Sequence, residues 1–215
     1  STPLQGHIQI NFIRAYASLP TDVLAQEVAA SGSATTSAAN YVVPNNVTKV
    51  ILDAGTPQTV TANSLGDTII SNDAGSTIIG GSGNDIFIAG HSADMLTGGA
   101  GNDSFIFNAL PWNAGQVTDF TPGSDRLDLS GIFTAIGYTG SNPVADGYLS
   151  FTSDGAGNTQ VFVNAHQAGN PWPTLITTLA HVAPSSMTLH DWMFQPGLPQ
   201  GTVLSPIHTA RGGVT

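Results

Sequence analysis

Large apolar residues recur every nine positions through the middle of the chain, at Ile51, Val60, Ile69, Ile78, Phe87, Leu96 and Phe105. Polar and glycine-rich stretches separate them. One buried residue per repeat is what a solenoid requires, because each short strand buries its face only against its neighbours. Six residues then form a turn and three a strand, so consecutive units lie on opposite edges of a flattened coil. Same-edge turns stack eighteen residues apart. An antiparallel sheet with chance spacing is the bland alternative, and the glycine-aspartate turns from residue 80 onward leave it little room.

Residues 80–106 write the nine-residue unit three times, as GGSGNDIFI, AGHSADMLT and GGAGNDSFI. The first and third copies fit G-G-x-G-x-D-x-U-x, with U a large apolar residue, at every specified position. The middle copy keeps Gly90, Asp94 and Leu96. This pattern resembles the calcium-binding nonapeptide of RTX proteins, secreted bacterial proteins that contain parallel β-rolls. The earlier turns ANSLGD and SNDAGS have lost most of the glycines and kept the apolar beat. Residues 44–79 therefore read as the same coil with fewer or no metal sites.

The residue types suit the chemistry that the resemblance implies. Glycine permits left-handed turn angles, and Asn84 and Asn102 are the next most tolerant type. Turned this way, backbone carbonyls point into the gap between neighbouring turns. Calcium takes about 6–8 oxygen ligands from carboxylates and carbonyls, and a glycine-rich turn ending in aspartate offers both. Stacking Gly80–Asp85 on Gly98–Asp103 points to one well-formed site, with Asp85 and Asp103 and the carbonyls around Gly81, Gly83, Gly99 and Gly101 as ligands. Asp67, eighteen residues before Asp85, offers part of a second site. The opposite edge has Asp94, with Ser76 one coil earlier, and is poorer in ligands.

A second block, VTDFTPGSDRLDLSGIF at 117–133, resembles the D-F-x-x-G-x-D-x-I/L-D-L-S element that follows the nonapeptides in serralysin-type and related RTX C-terminal domains. It reads as strand, turn at Pro122-Gly123, strand. The resemblance implies that Asp119 and Asp125 help to complete the last calcium sites, while Asp128 is equally a turn or capping residue. Residues 148–166 read as a hairpin around an Asp-Gly-rich turn. Residues 175–194 resemble the closing L-x-G-V…L-T-x-x-D-F element of such domains, with His181 in place of the glycine and Trp192 in place of the phenylalanine.

Composition strengthens this picture. The net charge is −10 although only 8% of residues are charged, and every acidic residue except Glu27 is aspartate, the short carboxylate of tight turns and calcium sites. Such uncompensated charge opposes compaction, and bound calcium would offset it. Four Lys and Arg make no basic patch, which argues against a nucleic-acid partner. There is no cysteine, so disulfides and thiolate metal sites are excluded. No apolar run of about 18 residues spans a membrane, and no N-terminal signal peptide with basic and apolar regions is evident. RTX proteins leave through a type I secretion machinery with an uncleaved signal near the C-terminus, so the resemblance implies a secreted, extracellular or cell-surface location.

Catalytic signatures are lacking. There is no HExxH motif, no G-x-S-x-G elbow, and only one glutamate. His181, His190 and Asp191 could be imagined as metal ligands or a catalytic pair, but the histidines read as surface or sheet-edge residues. The opening residues STPLQGHIQINFIRAY alternate as a half-buried strand. They resemble the closing strand of laminarinase-type glycoside hydrolases, through the R-x-Y element at Arg14 and Tyr16; a strand capping the roll is the plain alternative.

The expected protein is all-β: a right-handed parallel β-roll, its hand taken from the RTX resemblance, continuing into an antiparallel β-sandwich cap. Its divisions are an N-terminal strand at 1–16, a linker at 17–43 with a short helix at 22–30, the roll at 44–108, the cap at 109–194 and a tail at 195–215. The expected function is a non-catalytic module that folds on Ca²⁺ after export. The alternative is a self-assembling surface-layer or filament subunit, or a polysaccharide-binding module appended to a glycanase, with Trp112 and Trp172 as sugar platforms.

Overall fold

The computed structural model describes residues 26–29, 32–166 and 172–195. In chain order the strands begin with β1 (Gln26–Ala29), β2 (Ser33–Thr36), β3 (Asn40–Val42), β4 (Lys49–Leu52), β5 (Thr59–Thr61) and β6 (Thr68–Ile70). The repeats supply β7 (Thr77–Gly81), β8 (Ile86–Ile88), β9 (Met95–Gly99) and β10 (Ser104–Ile106). Then come β11 (Gly115–Val117), β12 (Arg126–Asp128) and a short helix α1 (Ser130–Ala135). The remaining strands are β13 (Leu149–Ser153), β14 (Thr159–Val163), β15 (Thr174–Leu179) and β16 (Trp192–Met193).

Successive strands of the coil alternate between two eight-stranded sheets. One has the order β1-β2-β4-β6-β8-β10-β12-β16, the other β13-β14-β15-β11-β9-β7-β5-β3. From β2 and β3 to β12 and β11, neighbouring strands pair in parallel. Short strands such as β5, β6 and β10 bury only their central residue. The nine-residue beat is thus the spacing of one inward side chain per strand. Those side chains stack into two columns, Val50, Ile69, Phe87, Phe105 and Leu127 in one sheet and Tyr41, Val60, Ile78, Leu96 and Val117 in the other. All ten are buried. The rings of Phe87 and Phe105 stack with centroids 5.1 Å apart. Full burial of each large side chain contributes about 1.5–3 kcal/mol.

The beat fails at its first member. Lys49 pairs with Thr68 and Asn40 with Thr59, a shift of nineteen residues, whereas the following coils, as far as β9 and β10, shift by eighteen. The extra residue lies in the turn between β4 and β5. It moves Ile51 to the partly exposed outer face and puts Val50 in the column. A period-two strand turns every side chain over when its register slips by one.

Two other expectations change. Residues 26–29 form a strand, not part of a helix, because they pair antiparallel with β2. Parallel pairing also reaches back to Ser33, before residue 44. Antiparallel pairing in the C-terminal part is confined to β13-β14-β15. The strands β11, β12 and β16 extend the parallel sheets instead, with β15 parallel to β11 and β16 parallel to β12. The expected hairpin at 148–166 is β13-β14. His181, at the position of the usual glycine, has φ 58°, the left-handed region that glycine favours. The opening strand expected at 1–16 and most of the tail lie outside the described residues. No described helix is long and apolar enough to cross a membrane.

Candidate metal centre

The aspartate that closes each repeat turn begins where its strand begins, so stacked strands place these aspartates one above another. Their carboxylates form a ladder along one edge. Asp85 Oδ1 accepts the amide of Asp67 at 2.7 Å, Asp103 Oδ1 that of Asp85 at 2.8 Å, and Asp125 Oδ1 that of Asp103 at 3.0 Å. The second oxygen usually turns back onto its own turn. Asp67 accepts from Asn63 N–H, Asp85 from Gly81 N–H, and Asp125 from Thr121 N–H, each at 2.8–2.9 Å and four residues back. On the opposite edge Asp94 does the same with Ser76 and Gly90, and adds the Ser71 hydroxyl.

Asp103 breaks the rule. The amide it would take, Gly99 N–H, donates to Asp119 Oδ2 at 2.8 Å, and Gly98 N–H donates to Asp119 Oδ1 at 2.8 Å. Asp103 Oδ2 is left buried with no hydrogen-bond partner among the described residues. It lies so close to Gly98 that a side chain there would strike it. A buried acceptor with no donor costs on the order of 1–3 kcal/mol, more when charged. Burial pushes the Asp103 carboxyl up to about 6, against the lowering effect of the Asp85 amide, and the charges of Asp125, Asp85 and Asp119 push it further. Asp67 Oδ1 is also without a partner among the described residues, because Thr48 N–H, one coil earlier, donates to the Gly32 carbonyl instead. Burial raises the Asp67, Asp94 and Asp125 carboxyls as well.

The carbonyls of the repeat turns face along the stack. A side chain at Gly99 would collide with the Gly81 carbonyl and one at Gly101 with the Gly83 carbonyl. Gly99 and Gly101 have φ of 95° and 141°, and having no side chain they meet neither the clash nor the strain. Asp85, Asp103 and Asp119 with Gly81, Gly83, Gly99 and Gly101 are thus brought to one pair of stacked turns. Asp67 and Asp125 lie one coil to either side, and Asp94 lies on the other edge. Among the described residues no three acidic or imidazole side chains form a metal cluster, so carbonyls must supply much of any coordination. The donor set fits calcium, a hard cation that accepts mixed carboxylate and carbonyl oxygens.

Two groups of residues have roles that the sequence did not assign to them. Asp191, fully buried, accepts from Gly123 N–H and Thr188 N–H at 2.6 Å each and ties β16 to the turn before β12. Its place in the closing L-T-x-x-D element was the available signal. The side-chain amides of Gln58, Asn63 and Asn72 bind turn carbonyls of the early coils.

The search of the curated proteins finds no match to this chain. Among solved structures, the chain is similar to the solution structure of the AlgE6R2 subunit of the Azotobacter vinelandii mannuronan C5-epimerase. The identity is 22% and the TM-score 0.45, over 66% of this chain and 96% of that one. The solution structure of the AlgE6R3 subunit of the same enzyme matches at 18% identity and TM-score 0.40, over 88% of each chain. Residues 64–181 match the family described as peptidase M10 serralysin C terminal. That match spans more than half of the sequence and covers the repeats, the block at 117–133 and the β13-β14 hairpin; the chain belongs to the serralysin C-terminal family.

Proposed function

We propose that this chain is a non-catalytic, calcium-binding β-roll module of a secreted protein, which completes its folding when it meets Ca²⁺ outside the cell after type I export. The observation that carries the reading is the orphaned Asp103 Oδ2, buried between stacked glycine turns and surrounded by three further carboxylates. Asp85, Asp103 and Asp119 with the carbonyls of Gly81, Gly83, Gly99 and Gly101 would hold the first ion. Asp67 and Asp125 would contribute to sites one coil away. Bound there, calcium supplies positive charge that offsets the carboxylate repulsion and ties adjacent turns together.

The chain's own part is to present oxygens that fold only poorly without a cation. Metal binding is then coupled to folding, and a chain poor in calcium stays loose enough to thread a channel. Isothermal titration of the metal-free chain with CaCl₂ tests the reading. Saturable binding that Asp103→Ala weakens supports it, and absence of binding at millimolar calcium refutes it.

A second reading, a polysaccharide-binding or assembly module, rests on exposed aromatics. Trp112 is 69% and Trp172 76% exposed, and Trp112 stacks on His91 at 4.9 Å. Quenching of tryptophan fluorescence by a soluble β-glucan, lost in Trp112→Ala, would favour it.

A further inference from the structure

Turn carbonyls that face along a solenoid stack need a positive partner in every coil, whether or not calcium is available. In the early coils, side-chain amides meet this need. Asn72 Nδ2 donates to the carbonyls of Ala54 at 2.8 Å and Thr56 at 3.2 Å, the second and fourth residues of the preceding same-edge turn. Asn63 Nδ2 donates to the carbonyls of Pro44 at 3.0 Å and Val47 at 2.8 Å. Gln58 Nε2 donates to the carbonyls of Thr36 at 2.9 Å and Ala38 at 2.8 Å. Each amide bridges two carbonyls of the coil before it.

Asn63 and Asn72 occupy the second position of their turns. Eighteen residues on, that position is Gly81 and Gly90, and thirty-six residues after Asn63 it is Gly99. There the backbone comes close enough that a side chain would collide with the carbonyl of Asn63, Asn72 or Gly81 respectively. A glycine has no amide to offer the carbonyls of the previous coil. The same lattice thus switches, at about residue 80, from pairs of carbonyls bridged by a side-chain amide to carbonyls that no side-chain amide among the described residues bridges; the Gly81 carbonyl, for one, accepts from the backbone amide of Ala100, at 3.0 Å.

We infer that the amides of Gln58, Asn63 and Asn72 replace calcium in the N-terminal coils, so that the roll is divided into a metal-independent half and a metal-dependent half. Strands β2 to β6 form without calcium and stay folded. Strands β8 to β12 order on them when calcium arrives, with β7 as the seam. The ordered end presents Asp67 N–H and the carbonyls of Asn63 and Leu65 to the next coil. It therefore acts as a template that fixes the register of Gly80–Asp85. The inference rests on the calcium reading above.

Hydrogen exchange read by mass spectrometry on the full chain, in EDTA and in calcium, tests the division. Peptides covering Val50, Val60 and Ile69 are expected to keep their protection in EDTA. Those covering Phe87, Leu96 and Phe105 are expected to exchange at least ~100-fold faster there than in calcium. Loss of protection throughout in EDTA overturns the division and leaves the calcium reading intact. Full protection throughout in EDTA overturns the calcium reading, and the division with it.

Asn63→Gly tests the cause. It removes the amide beside Asp67, whose Oδ1 has no partner among the described residues. Protection around Val50 and Val60 is expected to fall in EDTA and to return with calcium, because the bared carbonyls and Asp67 now suit a cation. Unchanged protection in EDTA, or a loss that calcium does not restore, overturns the equivalence of amide and cation.

Discussion

Asp119 takes from Asp103 the hydrogen bond that every other carboxylate in the ladder makes with its own turn. Both Oδ atoms of Asp119 lie 2.8 Å from the adjacent amides of Gly98 and Gly99, and Asp103 Oδ2 is left with no donor among the described residues. An acidic residue from the segment after the repeats therefore creates the vacancy in the charge balance that a cation would fill.

Asp119→Ala should release those amides and let Asp103 close onto Gly99, as Asp85 closes onto Gly81. Calcium affinity is expected to fall about tenfold or more, equivalent to at least ~1.4 kcal/mol, while stability in EDTA changes little. Calorimetric titration and EDTA melts check both halves. Unchanged affinity would mean that Asp119 does not shape the site.

Asp94 serves as a contrast. Its two oxygens receive Ser76 N–H, Gly90 N–H and the Ser71 hydroxyl, and Ser76 in turn accepts from Gln58 N–H. Asp94→Ala leaves buried donors unpaired and is expected to cost about 1–3 kcal/mol. Denaturant melts should show the same loss with and without calcium. A loss seen only in calcium would make Asp94 a ligand first and a staple second.

The shifted register gives an inversion of size and effect. Val50→Ala empties a place in the buried column, whereas Ile51→Ala trims a partly exposed side chain. The smaller deletion should therefore destabilise more, with Ile51→Ala within about 0.5–1 kcal/mol of wild type and Phe105→Ala, in the same column as Val50, costing about 3–5 kcal/mol. Denaturant midpoints of the three variants decide it.

His181 holds a left-handed backbone at φ 58°. A non-glycine residue pays roughly 1–2 kcal/mol there. The side chain is exposed, and the contact that matters is made by the backbone, His181 N–H to Asn158 Oδ1 at 2.9 Å. His181→Gly keeps that bond and is expected to raise the thermal midpoint. A lower midpoint would show that the imidazole contributes contacts of its own.

The ladder sets the pH dependence of the metal-free fold. Burial holds the Asp103 carboxyl at about 6 against an ordinary 3.8, and raises Asp67, Asp94 and Asp125 in the same direction. The fold then binds more protons than the unfolded chain between those values. Stability in EDTA should rise as pH falls through about 6 towards the ordinary carboxylate range and be lost as pH rises again. With calcium present the trend should reverse, because protons compete for the ligands. Melts at about pH 5 and 7.5 check the signs. An EDTA midpoint that is lower at pH 5 would contradict them.

Much of this was legible in the sequence because a solenoid writes its contacts locally. The beat from Val60 to Phe105 marked the two columns, and the two full nonapeptides marked the stacked turns. Ile51 misled because one extra residue in the 53–58 turn leaves a nine-residue count intact on paper and moves the strand face. Residues 26–29 misled because their strand exists only by pairing with β2, a tertiary fact. The roles of Asn63 and Asn72 are not written in the repeat: ANSLGD and SNDAGS show lost glycines, and only in space does each amide donate to two carbonyls. Parallel pairing of β15 and β16 depends on partners about sixty residues away in sequence, which no local pattern records.

Differential scanning calorimetry of the full chain in EDTA and in excess calcium, repeated with Asp103→Asn, tests the central claim most directly. Calcium at about 100 times its dissociation constant should add roughly 2.7 kcal/mol per site to the native state, seen as a marked rise in the midpoint. Most of that rise should vanish in Asp103→Asn, whose EDTA midpoint should itself rise, since a neutral side chain there removes the buried charge. Identical midpoints in EDTA and calcium for the wild-type chain would contradict the account.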